Sequence, residues 1–387
     1  MLRENEIQFI QENLHRDPVA IALEAAKYPD LDVPRLVGQI KARQKLKDKM
    51  PQWAANERVF FPPALALEQS SSEDTAHFKA SLLHGKVVDL TGGMGLDSYA
   101  FAQTGCDVEY IERQEELAKI TAYNHSVLKA GKIQHHTGDS LNWLSESAEL
   151  FDFLYVDPAR RDGAGNKVVL LQDCEPNALE LIPYINNKTS LLIKTSPLLD
   201  LDRAIKELQG VKKIYIVCVK NEVKELLFLK TSQSSEDPTI EVIELSQADS
   251  LLFKGKKSIE SASICDFCPV SNYLYEPHAG VLKAGFFKSV GKGLQKIAPN
   301  THLYTSMELH TNFAGRTFEV LAEGPLEKKW IKMVLPAGKA NISTRNFPIK
   351  ADEIRKKFQL KDGGELTLFA FRDQANKNKV VLAKKIS

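Results

Sequence analysis

The sequence lacks the features that mark membrane, secreted and disulfide-rich proteins. Its 387 residues contain no apolar run of about 18 residues, the length that a transmembrane helix needs. Residues 1–6 lack the apolar core of a signal peptide. The five cysteines are odd in number and irregularly spaced, which suits a reducing compartment. We therefore expect a cytoplasmic protein without disulfide bonds and without a membrane partner.

Internal repeats and low-complexity tracts are also missing, and the composition is ordinary. Apolar residues make up 43% of the chain and charged residues 26%, values that argue against a disordered or collagen-like protein. Single cores stop growing at about 250–300 residues, so a chain of this length predicts two or three domains.

Charge is unevenly distributed along the chain. Residues 281–387 hold 20 Lys+Arg against 9 Asp+Glu, a balance of +11, which leaves 31 against 41, or −10, for residues 1–280. A basic module on an acidic body favours a polyanionic partner such as nucleic acid, although a charge run can also be a solvated face.

Apolar periodicity predicts helices first and then a parallel sheet. Residues 1–50 show helical spacing, with breaks at prolines 18, 29 and 34. From residue 86, short apolar runs alternate with helical stretches, at 87–90, 108–111, 133–136, 153–156, 191–194 and 214–219. A seventh run at 225–230 follows after only five residues. So short a connection cannot cross over the sheet, and this strand must return antiparallel.

The last third predicts a smaller α+β module. A basic helix interrupted by glycines is expected over 280–297, strands over 317–321 and 330–335, and a helix over 351–358. A strand pair is expected at 366–371 and 380–386.

A glycine turn follows the first predicted strand and opens a helix near Ser98. The segment reads Asp89-Leu90-Thr91-Gly92-Gly93-Met94-Gly95. Glycines allow a ligand to approach the backbone, and the helix start offers free N–H groups. A dinucleotide fingerprint would need glycine or alanine where Ser98 stands, and Asp89 favours a cationic ligand over a pyrophosphate. A tight turn without a ligand is the alternative.

Acidic residues also close the next strands. Glu112, 23 positions after Asp89, can accept both hydroxyls of a ribose, or it is a surface glutamate. Asp139 follows the third strand, where it could bind an adenine amine.

The fourth strand ends in Asp157-Pro158, at the edge where open α/β sheets keep their reactive groups. The Asp157 carboxylate can accept hydrogen bonds from an exocyclic amine. Arg160 and Arg161 could hold a phosphate of the same nucleotide. The alternative is a structural turn with solvated arginines.

In this order, the motifs over about residues 81–245 resemble the class I S-adenosylmethionine-dependent methyltransferases. The resemblance implies that the cofactor is S-adenosylmethionine and that Asp157 and Pro158 face the acceptor. It also implies a cofactor site built from Asp89, Thr91, Gly93, Gly95, Glu112 and Asp139. Thr91 replaces the family's first glycine, and Ala159 follows Asp157-Pro158 where amino-nitrogen methyltransferases have proline and an aromatic residue. The motifs are similar to those of bacterial guanine-N2 ribosomal RNA methyltransferases.

The C-terminal part is similar to the methyltransferase branch that ends in a THUMP-like module after a small ferredoxin-like piece. The segments that carry this resemblance are 275–285, 340–348 and 361–364. THUMP modules bind RNA, which implies RNA contacts among Lys283, Lys288, Lys292, Arg345, Arg355, Lys356 and Lys357. The expected domains are 1–80 (helical), 81–274 (methyltransferase), 275–317 (ferredoxin-like) and 318–387 (THUMP-like).

Cysteine chemistry is not expected. Cys265 and Cys268 form a single CxxC without a second pair or spaced histidines, so we expect no metal. Cys174 is the one candidate for the nucleophile that base C5 methylation would require.

We therefore expect an α/β protein with a doubly wound seven-stranded methyltransferase sheet, an N-terminal helical domain and a small C-terminal α+β domain. The expected activity is methyl transfer to a nucleobase nitrogen of structured RNA, either tRNA or rRNA. The alternatives are a methyltransferase for a small molecule or protein, a non-catalytic cofactor- and RNA-binding protein, and, third, a dehydrogenase.

Overall fold

The computed structural model describes residues 1–62, 67–68, 70–160, 171–247 and 251–386. The chain forms two compact units. Unit 1 consists of Met1–Lys213 and Glu225–Glu236, and unit 2 of Ile214–Lys224 and Asp237–Ser387. Among the helices of the described ranges, none is both long and apolar enough to cross a membrane.

Unit 1 begins with short helices, as the proline pattern predicts. Pro18 and Pro34 lie in the first turns of two of them, where a missing N–H is tolerated, and Asp17 and Asp32 cap the same turns. Apolar side chains such as Ile21, Leu36 and Ile40 form their buried core. The helices are α1 (Glu4–Asn13), α2 (Pro18–Leu23), α3 (Val33–Leu46), α4 (Pro51–Ala55) and α5 (Glu73–Ala80).

Short apolar strands follow, and most of their residues are buried, as expected for a sheet covered on both faces. The strands are β1 (Lys86–Asp89), β2 (Asp107–Glu112), β3 (Ile133–Thr137), β4 (Phe153–Val156), β5 (Ala159–Arg160), β6 (Cys174–Glu175), β7 (Ser190–Thr195), β8 (Lys213–Val219) and β9 (Glu222–Lys230).

The sheet of unit 1 has the hydrogen-bonded order β9-β7-β4-β1-β2-β3. The strands from β7 to β3 run parallel, and β9 runs antiparallel to β7. Parallel neighbours require crossovers. The connections after β1, β2, β3 and β7 contain, respectively, α6 (Leu96–Gln103), α7 (Glu115–Val127), α8 (Ser140–Glu146) and α9 (Leu201–Leu208).

The predicted antiparallel return is confirmed. A two-residue turn joins β8 to β9, and both of its residues, Lys220 and Asn221, have positive φ angles of 52° and 62°. Positive φ at both central residues matches the twist of a tight hairpin. The boundary between the units passes through β9 at Glu225.

Unit 2 contains β10 (Thr239–Glu244) and β11 (Leu251–Gly255), an antiparallel pair, followed by a seven-stranded sheet of order β13-β14-β12-β15-β18-β17-β16. Its pairs are antiparallel except β16 with β17. The elements are α10 (Lys257–Ala262), β12 (Tyr273–Pro277), α11 (Ala279–Ala284), β13 (Gln295–Ala298), β14 (Thr301–Ser306), β15 (Gly315–Gly324), α12 (Lys328–Val334), β16 (Asn341–Arg345), α13 (Ala351–Phe358), β17 (Leu366–Arg372) and β18 (Asn378–Lys385).

Two predictions for the C-terminal part are wrong. The expected basic helix over 280–297 ends at Ala284, because Gly285 takes the left-handed conformation that terminates helices, and β13 follows. The expected strand over 330–335 is helix α12. Ile331 and Leu335, four residues apart, are buried in one core, whereas Met333 is exposed, which is a helical phase and not an alternating one.

A matched pair of truncations tests this helical phase. A strand would place Ile331 and Met333 on one face, but the helix leaves Ile331 2% exposed and Met333 70% exposed. We expect Ile331→Ala to lower the free energy of unfolding by about 2–5 kcal/mol and Met333→Ala to change it by less than about 0.5 kcal/mol. Urea unfolding measures both values, and similar losses in the two variants would contradict the helix.

Candidate active site

The loop between β1 and α6 has one glycine whose face is open. A Cβ at Gly92 would overlap the ring of Tyr110, and a Cβ at Gly95 would overlap Thr121, so packing requires both glycines. Gly93 has φ +53°, and an added Cβ would meet nothing closer than the backbone oxygen of Thr91 at 3.7 Å. Gly93 is therefore the point at which a ligand can approach the backbone of this loop.

The carboxylate that closes β2 lies directly beside this loop. Glu112 Oε2 accepts a hydrogen bond from the N–H of Gly93 at 2.8 Å, and Oε1 accepts one from the N–H of Gln114 at 2.8 Å. Each carboxylate oxygen can accept a further hydrogen bond. The structure thus brings together Gly93 and Glu112, which the sequence analysis assigned to the same ligand.

Asp89 lies under the loop and holds its shape. Its carboxyl is 1% exposed and accepts hydrogen bonds from the Ser98 hydroxyl at 2.6 Å and the Thr91 N–H at 3.1 Å. Burial raises the pKa of Asp89 to about 7; the charge of Asp97 adds to this rise, and the Ser98 hydrogen bond opposes it. The protonation of Asp89 therefore changes near neutral pH.

Asp157, after β4, is tied to the glycine loop through its backbone. Its N–H donates to Thr91 Oγ1 at 2.7 Å, so Thr91 connects the loop after β1 with the loop after β4. The Asp157 side chain is 32% exposed. Pro158 follows, the backbone of Arg160 lies in β5, and Arg161 falls outside the described residues.

The second partner of Asp157 is a buried lysine. Lys194 is the second-to-last residue of β7, which runs parallel beside β4, and its Nζ lies 2.6 Å from Asp157 Oδ2. The same Nζ lies 3.0 Å from Ser71 Oγ and 3.9 Å from Asp97 Oδ2. With 10% of its side chain exposed, Lys194 is held almost entirely by these polar partners.

A second buried lysine, Lys79, shares the partners Ser71 and Asp97 with Lys194. Lys79 is fully buried, and its Nζ lies 2.9 Å and 3.0 Å from the two carboxylate oxygens of Glu225. It also lies 3.3 Å from Asp97 and 3.1 Å from Ser71, which in turn donates to Asp97 at 3.0 Å. We call this set the buried charge network: Ser71, Lys79, Asp97, Asp157, Lys194 and Glu225.

The network favours the charged forms of Lys194 and Asp97. Burial lowers the pKa of Lys194, but the carboxylates of Asp157, Asp97 and Glu225 outweigh it and raise the pKa above its usual value. Burial raises the pKa of Asp97, but Lys79 and Lys194 outweigh it and lower the pKa. Opposite charges at these distances favour the charged forms.

Sequence reasoning missed every member of this network except Asp157. A local signal exists only for Lys194, a lysine at the carboxyl end of the apolar run 191–193. Glu225, which pairs with Lys79, is 146 positions away from it, and Lys194 is 123 positions away from Ser71, so these pairs leave no local pattern.

Asp139 has a local structural role. Its side chain is exposed and accepts a hydrogen bond from the N–H of Asn142 at 2.9 Å, which caps α8.

Histidines support the glycine loop from behind. His125 Nε2 donates to the Gly95 carbonyl at 2.8 Å, and its Nδ1 lies 2.8 Å from His135 Nε2. Burial lowers the pKa of His125 to about 4, so the ring is neutral. His136 contacts Glu109 instead, so the two adjacent histidines have different partners.

The basic residues proposed for RNA contact in unit 2 differ in exposure and in their ion pairs. Arg345 contacts the buried Glu276 at 2.7 Å, and Arg355 pairs with Asp352 at 2.5 Å and Asp362 at 2.8 Å. Lys283 is partly buried. Exposed positions are Lys288, Lys292, Lys356 and Lys357.

Cys265 and Cys268 are partly buried free thiols, and burial raises the pKa of both. No cluster of three or more metal-ligating side chains occurs within the described ranges. Cys174 is buried in β6.

Comparison with known proteins adds two family matches in unit 2. Residues 315–385 match a family described as THUMP domain-like, and residues 273–313 match a family described as a ferredoxin-like domain. Both matches lie in the seven-stranded sheet.

One relative is similar over its whole length. A candidate methyltransferase from Porphyromonas gingivalis W83, known from its crystal structure, shares 31% sequence identity with this chain. The alignment covers 100% of both chains, with a TM-score of 0.87.

Other relatives match over a short segment. The "Ribosomal RNA small subunit methyltransferase J" of Coxiella burnetii is 33% identical over 81 residues, covering 19% of this chain and 32% of that protein. The protein of the same name from Marinobacter nauticus is 30% identical over 82 residues, covering 19% and 30%. The chain thus spans about a third of the length of these relatives.

The shifted titration of Asp89 gives a prediction for stability. Its folded-state pKa of about 7 exceeds the ordinary value of 3.8. Its contribution to stability is therefore fully present below about pH 4 and is lost as the pH rises through 7. We expect the free energy of unfolding of the wild type, relative to Asp89→Asn, to fall steadily between pH 4 and pH 8. Urea unfolding at several pH values measures this difference, and a constant difference would contradict the assignment.

Proposed function

Because this chain belongs to the class I S-adenosylmethionine-dependent methyltransferases with a C-terminal THUMP-like domain, we propose that it methylates a nucleobase nitrogen of structured RNA. The full-length similarity to the Porphyromonas protein supports the family, and the cofactor of that family is S-adenosylmethionine. The acceptor, the RNA and the roles of individual residues are our proposal.

The observation that carries the proposal is the link between two loops. Thr91 and the Asp157 N–H, 2.7 Å apart, join the open glycine loop to the Asp157-Pro158 turn. When bound, S-adenosylmethionine supplies an electrophilic methyl carbon, so the chain's own contribution is mainly to align the acceptor nitrogen. Fixed loops at adjacent strand ends suit that task.

The residues around the glycine loop fit the cofactor. Gly93 offers an open face, and Glu112 places its carboxylate 2.8 Å from the Gly93 N–H, where it could also accept ribose hydroxyls. We propose that Asp89 shapes the loop from below and that its carboxylate favours a nearby amino group. Thr91, Gly95 and Asp139 complete the proposed cofactor site.

We propose that Asp157 orients the acceptor amine. A partly exposed carboxylate with one oxygen held by Lys194 can accept an N–H of the acceptor, orient its lone pair and receive its proton. Pro158 removes a competing N–H donor beside it. Arg160 and Arg161 remain proposed contacts for a phosphate.

RNA is favoured over a small molecule or a protein by the charge of the C-terminal part. The +11 balance of residues 281–387 lies on the ferredoxin-like and THUMP-like segments, and the matched Coxiella and Marinobacter proteins carry ribosomal RNA in their names. We propose phosphate contacts from Lys283, Lys288, Arg345 and Lys356, with a cytoplasmic location and no metal. The experiments below distinguish this proposal from two alternatives. One is a methyltransferase for a small molecule or a protein, and the other is a non-catalytic binding protein.

A glycine pair tests cofactor binding. Gly93→Ala places a methyl group on the open face of the loop, and it also strains a φ of +53°. Gly338→Ala is the matched control, since Gly338 has φ +60° and an equally open surrounding but lies in unit 2. We expect Gly93→Ala to weaken S-adenosylmethionine binding about tenfold or more in calorimetric titration, with Gly338→Ala unchanged. Equal affinities of the Gly93→Ala and Gly338→Ala variants for S-adenosylmethionine would contradict a cofactor site at this loop.

Replacement of Asp157 tests transfer. The assay follows radiolabelled methyl transfer from S-adenosylmethionine to total RNA of a strain that lacks this protein, with and without ribonuclease. We expect ribonuclease-sensitive label with the wild type, a loss of at least about 100-fold with Asp157→Asn, and no loss with the exposed control Asp30→Asn. Retained turnover in Asp157→Asn would refute its role, and cofactor binding without label would favour another substrate.

Salt dependence tests the RNA surface. Phosphate contacts make affinity fall steeply with salt, so we expect RNA affinity to drop about tenfold or more between 50 and 200 mM salt. Lys288→Gln and Lys356→Gln should each make the slope of log affinity against log salt shallower by about 1, whereas Lys132→Gln in unit 1 should not. Filter binding measures the slopes, and salt-independent binding would speak against phosphate recognition.

A further inference from the structure

Lys194 contacts Asp157, the residue proposed to orient the acceptor amine, but the proposed function gives Lys194 no role of its own. It stands near the end of β7, beside β4, and its Nζ lies 2.6 Å from Oδ2 of Asp157. Within the described part of the chain, no contact is found for the other oxygen, Oδ1. Among the described residues, the two oxygens of Asp157 are therefore unequal: Oδ2 is held by an ammonium group, and Oδ1 has no hydrogen-bond donor.

The ammonium group of Lys194 has a second hydrogen-bond partner, Ser71. Ser71 Oγ accepts from Lys194 at 3.0 Å and from Lys79 at 3.1 Å, and it donates to Asp97 at 3.0 Å. Ser71 precedes α5, so the N-terminal part of unit 1 contributes to the support of Asp157. A buried ammonium with three polar partners has little freedom to leave Asp157.

We propose that Lys194 is a positioning residue, which holds Oδ2 of Asp157 in place and leaves Oδ1 to accept the N–H of the acceptor. This inference rests on the proposed function. In the transfer step the acceptor nitrogen bonds to the methyl carbon, and the carbon–sulfur bond breaks with its electron pair left on sulfur. The nitrogen then loses its proton to Oδ1 of Asp157 and from there to water.

The charged surroundings of this pair come from several elements. Asp97 and Glu225 raise the pKa of Lys194, Lys194 contributes to the lowered pKa of Lys49, and Asp157 contributes to the raised pKa of Asp89. Lys79, on α5, forms ion pairs with Asp97 and Glu225. Among these groups Lys194 is the cation in direct contact with Asp157.

A split between kcat and KM separates positioning from structural support. Lys194→Met removes the ammonium group that holds Oδ2 of Asp157, so we expect kcat to fall about tenfold or more while KM for S-adenosylmethionine stays unchanged. Lys194→Arg keeps a cation beside Asp157 and should retain most of kcat. Lys79→Met is the matched control, a buried lysine of the same network without contact to Asp157. It should lower stability and reduce kcat less than Lys194→Met does. An unchanged kcat in Lys194→Met, or equal losses in both methionine variants, would overturn the inference.

A double-mutant cycle tests the same pair without any transfer activity. We expect urea unfolding of Lys194→Met, Asp157→Asn and the double variant to reveal a coupling of about fivefold or more in the unfolding equilibrium constant. The corresponding cycle with Lys79→Met should show a weaker coupling. Coupling with no methyl transfer by the wild type would reject the proposed function and retain the pairing. Absence of coupling would reject the positioning role even in an active enzyme.

Discussion

A charge that is removed from water must find opposite charges and hydrogen-bond partners inside the protein. Lys79, fully buried on α5, finds them in Glu225 on β9, Asp97 at the start of α6, and Ser71. Buried ion pairs contribute little net stability, but one that loses a partner is costly. The relative placement of the helical segment, the last strand of the sheet and the helix after the glycine loop is therefore constrained by this chemistry.

The need of a buried charge for partners also determines the position of Asp157, which is partly exposed. One side of Asp157 is bound through its backbone to Thr91 and the other through its carboxylate to Lys194. A glycine at position 91, as the family pattern has it, would offer no hydroxyl to the Asp157 N–H. The departure from the family motif thus provides a link between two loops that a glycine could not provide.

Much of the fold follows from local patterns in the sequence. Apolar runs and the five-residue connection before 225–230 predict the parallel sheet and its antiparallel return, and glycines predict the turn after β1. Helix α12 was not predicted, because seven residues with apolar side chains at 330, 331, 333 and 334 fit a strand as well as a helix. The buried core around Ile331 selects the helix.

The charge network could not be predicted for a different reason. Lys79 and Glu225 are 146 positions apart, and Ser71 and Lys194 are 123 apart. No helical or strand periodicity connects positions at such separations. From sequence alone, Lys79 in a short helical segment would be assigned to the solvent-exposed surface. Its burial becomes evident only when its contact with Glu225 on β9 is known.

The strand pairing in unit 2 joins the two segments that match separate families. The ferredoxin-like match ends at 313 and the THUMP-like match begins at 315, yet β12 and β15 pair from Tyr273↔Glu319 to Pro277↔Gly315, across that boundary. Separation of the chain at this point would leave an open strand edge on each fragment, and open edges can pair with strands of other molecules. The two segments, although described as separate families, share one hydrogen-bonded sheet in this chain, so each protects the strand edge of the other.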